Sequence, residues 1–430
     1  MTKVFIAEQE TLLEVQKQVD KLTNNLLPLD KPIYAMVIHE ASDLNPNSRV
    51  EYLGANKNFT PMSMNMSTHA MNYGSWADWS WLKANVPVMC NFDGGIDYYL
   101  NPNDYTKKAD GTDSDVSNVD YAGDAMSVIQ KIYKKEYKVG NDRYVFFCER
   151  KVDEDFKAVG FNVLGKERDY MLIPMFYGSI DANGKMRSIA GQWSCLTASG
   201  NASDNTTGTA IGTAEQYAAI QKASKNGLFF GGALVNTLAD ICVLLSKSTN
   251  AQAAFGYGMC STYVEDKAQH YGTQINTVVG GGQFYGSSDQ KSFNKIFHSC
   301  VMGSYMLWQR DPYMLLKNGR ILVSPDYTYD LTGATYLDTG VDLAANGYYA
   351  TTRVIEDFGS VPTDELVCSS ATGYCDHTWV NATILAVSLR FGNCDNGLAG
   401  GLFARTLDNV AAHAWWDYAA SKLLPAPAAA

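Results

Sequence analysis

Charge, proline and long hydrophobic runs are all scarce in this sequence. Charged residues are 18% of the 430, acidic groups outnumber basic ones by 45 to 34, and the net charge is −11. That balance excludes nucleic acid as the expected partner, because phosphate binding draws on clustered Lys and Arg. The one basic run, Lys131–Lys138, alternates with bulky residues as a strand does, and its charges read as a solvated face. No apolar stretch reaches the roughly 18 residues that a membrane helix needs. The nearest, Leu228–Leu245, is broken by Gly231, Gly232, Asn236 and Asp240, so membrane insertion is not expected. Met1-Thr2-Lys3 opens a polar helical pattern instead of a secretory signal, and synthesis in the cytoplasm is expected. The cysteines number nine and are scattered, which fits free, mostly buried thiols better than a disulfide framework.

Catalytic and metal-binding patterns are equally thin. Gly280-Gly281-Gly282 leads into Gln-Phe-Tyr-Gly, with no Lys-Ser/Thr to hold a phosphate. The histidines, His39, His69, His270, His298, His377 and His413, stand far apart. Cys368, Cys375, Asp376 and His377 come nearest to a metal or redox cluster but lack the second tight pair of a zinc site. Asp113, Asp115 and Ser117 have the first spacings of a calcium loop. Asn118 then stands where its sharp turn needs Gly, and Asp124 where a longer Glu would reach, so a hydrated Asx-turn loop is the reading. No metal, no cofactor and no catalytic residue is expected, and the chain does not read as an enzyme.

What is present is apolar and aromatic. Hydrophobic residues are 46%, with 26 Tyr and 36 Gly, enough for a large core and weighted toward strands and ordered loops. Phe5, Leu12, Val15, Val19, Leu22 and Leu26 follow a heptad spacing, predicting a helical seam over residues 1–28 that oligomerises the chain and ends at Pro28 and Pro32. Residues 29–165 read as β-rich, with hairpins around Asp93-Gly94-Gly95 and Gly140-Asn141-Asp142. Residues 166–423 form a further domain, and 424–430 a flexible tail. Within that domain Thr213 and Gln216 suggest a capping box opening a helix over 214–224, and a second helix is expected over 233–246. Beyond Thr249 the pattern predicts glycine- and aromatic-rich loops with short strands at Tyr305–Gln309, Ile321–Ser324 and Tyr348–Val354.

The segment from Arg390 to Tyr418 alternates glycines with groups able to make contacts. Arg390, Asn393, Asp395, Asn396, Arg405, Asp408, Trp415, Trp416 and Tyr418 are the candidate ligand contacts. Arg390, Asn393, Asp395, Arg405 and Asp408 are expected on the surface, while Phe403, Trp415 and Trp416 suit a core equally well. Asn396-Gly397 and Gly400-Gly401 read as framework.

Several phrases resemble one family. Tyr98–Tyr105 with Lys107–Thr112, Tyr121–Met126, Lys185–Gln192, Leu245–Gly256, Tyr374-Cys375-Asp376 and Asp395-Asn396-Gly397 are similar to segments of fibre-type structural proteins of gut bacteriophages, over about residues 90 to 420. The resemblance implies an α+β fold: an N-terminal coiled-coil helix, a β-rich middle, and a C-terminal C-type lectin-like (formylglycine-generating-enzyme-like) domain with long ordered loops, as in phage tropism determinants. Departures fall at Phe391–Cys394 and Asp417-Tyr418-Ala419. It also implies a virion protein, of head or tail fibre, that binds a host surface glycan or protein. A homotrimer joined to other capsid or tail proteins through its N-terminal region is the expected assembly. A purely structural decoration role is the alternative. A remoter one is a copper oxidase using Cys368 and Cys375.

Overall fold

The computed structural model describes residues 31–192, 194, 211–261, 280–344, 346–415 and 417–427. The heptad seam Phe5, Leu12, Val15, Val19, Leu22 and Leu26 lies outside them. The α+β expectation is overturned. The protein is mostly β, 39% strand against 13% helix, with five helices among the described residues and a sheet that curls nearly closed like a barrel. Two helices with a small sheet, the lectin-like arrangement, do not describe it.

Three sheets carry the fold. A four-stranded antiparallel sheet runs Val50–Gly54, Tyr34–His39, Asp142–Cys148, Tyr133–Val139. A seven-stranded one runs Leu228–Phe229, Lys422–Pro425, Tyr170–Pro174, Gly123–Gln130, Pro87–Asn91, Ile96–Asn101, Asp104–Lys108. The two expected hairpins are here, joining Pro87–Asn91 to Ile96–Asn101 and Tyr133–Val139 to Asp142–Cys148. Gly123–Gln130 pairs with Tyr170–Pro174, so hydrogen bonds cross the boundary expected at residue 165. Lys422–Pro425 is a buried strand paired with Tyr170–Pro174, which corrects the flexible tail expected from residue 424.

The third sheet has nine strands where loops with short strands are expected after Thr249; the expected strands at Ile321–Ser324 and Tyr348–Val354 match Arg320–Val323 and Tyr348–Ile355. Its path is Leu337–Asp342, Arg320–Val323, Trp308–Lys317, Leu385–Phe391, Gly401–Leu407, His377–Val380, Tyr348–Ile355, Gly359–Cys368, with Tyr418–Ala419 alongside Trp308–Lys317. The longer strands hid in the sequence because they are covered on both faces, which erases the alternation that marks a half-buried strand. Trp308–Lys317 is buried at every position but Lys317, and Leu385–Phe391 at every position but Leu385.

Between the sheets runs the central helix Gly232–Ser246, buried at every residue except Ser246. Full burial of each Leu, Val or Ile on it stabilises the fold by about 1.5–3 kcal/mol, and Lys247, left-handed at φ 55°, ends it. The preceding helix is Thr213–Ala223, but Thr213 and Gln216 form no capping box. Their side chains donate instead to the carbonyls of Ala411 and Tyr418, fastening the helix to the C-terminal segment.

Candidate binding surface

The segment from 390 to 418 has a buried part and an exposed part. Arg390 is 1% and Arg405 5% exposed, against the expectation of surface contacts. Both stand on adjacent strands, paired with each other in register, and point at the central helix. Arg390 Nε donates to Asp311 Oδ2, and Arg390 Nη2 donates to Gly232 O and Asn236 Oδ1 at 3.1 Å each. Arg405 Nη2 donates to Asn236 Oδ1 at 2.7 Å. These two arginines hold the strands to the helix and are not available to a ligand.

Asn393 is also buried, correcting a third expected surface contact. Its Nδ2 donates to Asp417 Oδ2 at 2.5 Å, and its backbone N–H to Asn396 Oδ1 at 2.8 Å. Half-buried Asn396 is thus framework, as Asn396-Gly397 suggested. Asp395 is exposed and Leu398, on the following turn, is 48% exposed. The Asn393–Asp417 bond ties this turn to the loop after Leu407.

That loop presents the outer surface. Asp408, half-buried, accepts from Thr406 Oγ1 and Asn409 Nδ2. Asn409 Oδ1 accepts from Tyr418 Oη at 2.9 Å and lies 2.8 Å from His413 Nδ1, which must therefore be the donor. From beneath, Arg310 donates through Nη2 to His413 O and through Nη1 to Thr213 Oγ1, while its guanidinium lies 5.6 Å from the ring centre of half-buried Tyr418. Thr213 N donates to Ala411 O at 2.9 Å. Held this way, the loop leaves Trp415 38% and Val410 43% exposed, with the His413 ring 6.0 Å from that of Trp415. Burial, with Arg310 behind it, pushes His413 below the usual histidine range against the pull of Asp408. The ring is therefore neutral at pH 7. The side chain of Trp416 lies outside the described residues.

Of the nine candidates, Asp395, Asp408, Trp415 and Tyr418 reach or border this surface, and Arg390, Asn393 and Arg405 support it from inside. The sequence reading missed Arg310 and His413, and gave Asn409 and Val410 no contact role. Val410 and His413 stand within the Arg390–Tyr418 segment, but neither belongs to a glycine or aromatic pair that would single it out. Arg310 lies in a buried strand, with no local sign of the loop it supports.

The remaining chemistry is elsewhere. A cleft of about 720 Å³ opens between Tyr133–Val139 and Tyr348–Ile355, lined by Lys135, Lys138, Lys157, Arg353, Glu356 and Asp357 among others, a balanced mixture of signs. Asp113 pairs with Lys107 at 2.6 Å, and Asp115 accepts from Tyr98 Oη and Asn118 Nδ2, so the Asp-rich loop spends these carboxylates locally. Among the described residues no group of three or more His, Cys, Asp or Glu side chains is placed to hold a metal. Cys368 and Cys375 are free and buried, and burial lifts both thiols, Cys375 to about 12. No protein-family model matches the chain, and a search of curated proteins gives no match.

Proposed function

We propose that the chain is a bacteriophage virion fibre protein that binds the host cell surface through the two tied turns bearing Asp395, Leu398, Val410, His413 and Trp415. The observation that carries this reading is the combination of a loop pinned on its inner side by Arg310, Thr213 and Asn409 with an outer side that exposes Trp415 and Val410. A loop already ordered loses little further entropy on binding, and Trp supplies large contact area on few rotors. The phrases that resemble gut phage fibre proteins support the same reading from sequence. Its partners would be further copies of the chain, as a trimer, other virion proteins of head or tail, and a glycan or protein of the host surface.

The test is adsorption of the purified, labelled chain to cells of a susceptible host. Trp415→Ala with Val410→Ser should lower cell binding at least tenfold while the unfolding midpoint stays within about 1 kcal/mol, since both positions are exposed. Unchanged binding by the double variant sinks this surface as the contact. A chain that incorporates into particles but does not bind cells is a decoration protein.

A further inference from the structure

The polar groups behind the outer loop fix which way its histidine is protonated. Asn409 Nδ2 donates to Asp408 Oδ1, so the amide oxygen is the atom that accepts from Tyr418 Oη and from His413 Nδ1. With its proton on Nδ1, His413 carries a bare lone pair on Nε2. The residue is exposed, and Nε2 has no hydrogen-bond partner among the described residues. Partial burial and Arg310 keep a proton off this second nitrogen, against the pull of Asp408. The loop therefore offers one oriented, uncharged acceptor beside the exposed Trp415, with 6.0 Å between the two ring centres.

What surrounds that pair narrows the ligand. The arginines of the segment, Arg390 and Arg405, and the supporting Arg310 are all buried, whereas Asp395 is exposed and Asp408 half-buried. An anionic ligand would meet these carboxylates with no exposed cation of the two turns to receive it. The surface is also small. Its exposed residues are Asp395, Leu398, Val410, Ala412, His413 and Trp415, six among the described ones, where a stable protein partner covers about 20–30 on each side. The ligand that fits is small, carries no negative charge, donates hydrogen bonds and has an apolar face to lay on an indole. A hexose with free hydroxyls has all four properties.

We propose, building on the reading of these turns as the host contact, that they bind an uncharged saccharide. One hexose lays its C–H face on the Trp415 ring and donates a hydroxyl hydrogen to His413 Nε2. The relay from Asp408 through Asn409 to His413 makes the site select hydroxyl donors, because a ligand group that only accepts would set two lone pairs against each other. Acidic sugars are turned away by Asp395 and Asp408.

The experiment uses the labelled full chain and cells of a susceptible host. Mild periodate, which cleaves the vicinal diols of sugars, should abolish adsorption, and the neutral fraction of the deproteinised envelope polysaccharide should compete for the chain. His413→Phe keeps a ring without an acceptor and should weaken binding of that fraction roughly three- to tenfold, with His413→Gln, whose amide oxygen still accepts, losing less. Adsorption that survives periodate, or competition by the acidic polysaccharide fraction alone, overturns the saccharide while the host contact stands. Equal affinity in wild type and His413→Phe also overturns it, since the acceptor would then play no part. Unchanged adsorption of Trp415→Ala with Val410→Ser is a different failure, that of the surface itself.

Discussion

Lys134 Nζ lies 2.7 Å from Asp240 Oδ2, and both side chains are sealed from solvent. The contact joins the edge strand of the four-stranded sheet to the central helix. Arg143 Nη2 approaches the same carboxylate at 2.6 Å, and Glu136 bridges both cations, at 2.7 Å from Lys134 and 2.6 Å from Arg143. Arg143 Nη1 also donates to Tyr374 Oη, which donates to Glu40, itself paired with Lys138. Lys138 Nζ also donates to Thr352 O at 2.8 Å, so a polar chain runs from the first sheet through the helix to the nine-stranded sheet. The expected solvated face of Lys131–Lys138 is in part the opposite, a buried ionic seam.

Asp240→Asn should therefore cost about 3–5 kcal/mol at pH 7, read from urea midpoints, because it leaves Lys134 and Arg143 with Glu136 alone. Burial by itself would raise the Asp240 carboxyl, but Arg143 and Lys134 outweigh it and the net shift is downward. A lowered folded pKa contributes stability that is complete above the unfolded value, near 4, and lost as pH falls through the folded one. The gap between wild type and variant should therefore narrow below pH 4. A gap under about 1 kcal/mol at pH 7 would mean that the seam is not the joint described.

Gly160 separates steric contact from backbone conformation. Its φ is +88°, and a β-carbon there would stand 2.4 Å from Leu234 Cα on the central helix. Gly111 has the same φ, yet a β-carbon would meet nothing within 4 Å. Gly111→Ala should cost about 1–2 kcal/mol for the left-handed backbone alone. Gly160→Ala must also displace helix backbone, so a loss beyond about 3 kcal/mol is expected. Equal losses in chemical denaturation would show that helix and loop separate freely.

Arg310→Met should loosen the outer loop without opening the sheet. The change removes the donors to His413 O and Thr213 Oγ1, bonds from a charged group that contribute about 1.5–3 kcal/mol each. Hydrogen exchange at the amides of His413 and Tyr418, which bond to Val410 O and Trp415 O, should accelerate at least tenfold. Exchange at Met314 and Leu316, inside the strand, should stay slow. Acceleration at both places would make Arg310 a general stabiliser of the sheet.

What the sequence made legible was local. Both early hairpins announce themselves through Asp-Gly-Gly and Gly-Asn-Asp turns, and the central helix through its apolar period. Of the nine-stranded sheet only Arg320–Val323 and Tyr348–Ile355 did, because a strand covered on both faces, such as Trp308–Lys317, has no period of two. Ion pairs were invisible for a different reason. Lys134 and Asp240 are 106 residues apart, and Arg390 and Asp311 are 79 apart. An arginine among glycines and amides looks the same whether it faces solvent or a distant buried aspartate. The same blindness turned three expected contacts, Arg390, Asn393 and Arg405, into supports, while Asp395 and Trp415 did emerge at the surface.

His298 sets an acid limit on the fold. It sits with Phe297 in a two-residue turn between Ile296 and Ser299, both at positive φ, 61° and 54°. Its Nδ1 is 2.7 Å from Tyr105 Oη, which accepts from Lys295 Nζ at 3.0 Å. Burial lowers the histidine to about 3, helped by Lys295 and opposed by the carbonyls of Asn85 and Gly282. Burial likewise lowers Lys295 to about 8, with Cys300 opposing. The unfolded histidine, near 6.5, binds a proton that the folded one refuses. Its contribution is therefore whole above pH 6.5 and falls away toward pH 3, by on the order of 5 kcal/mol in all. Asp376, raised in the fold, acts in the opposite sense but is common to wild type and variant. His298→Asn cannot titrate, so its stability curve between pH 6.5 and 4 should be flatter by close to one proton. Parallel curves for the two proteins over that range would show that His298 takes up its proton within the folded state.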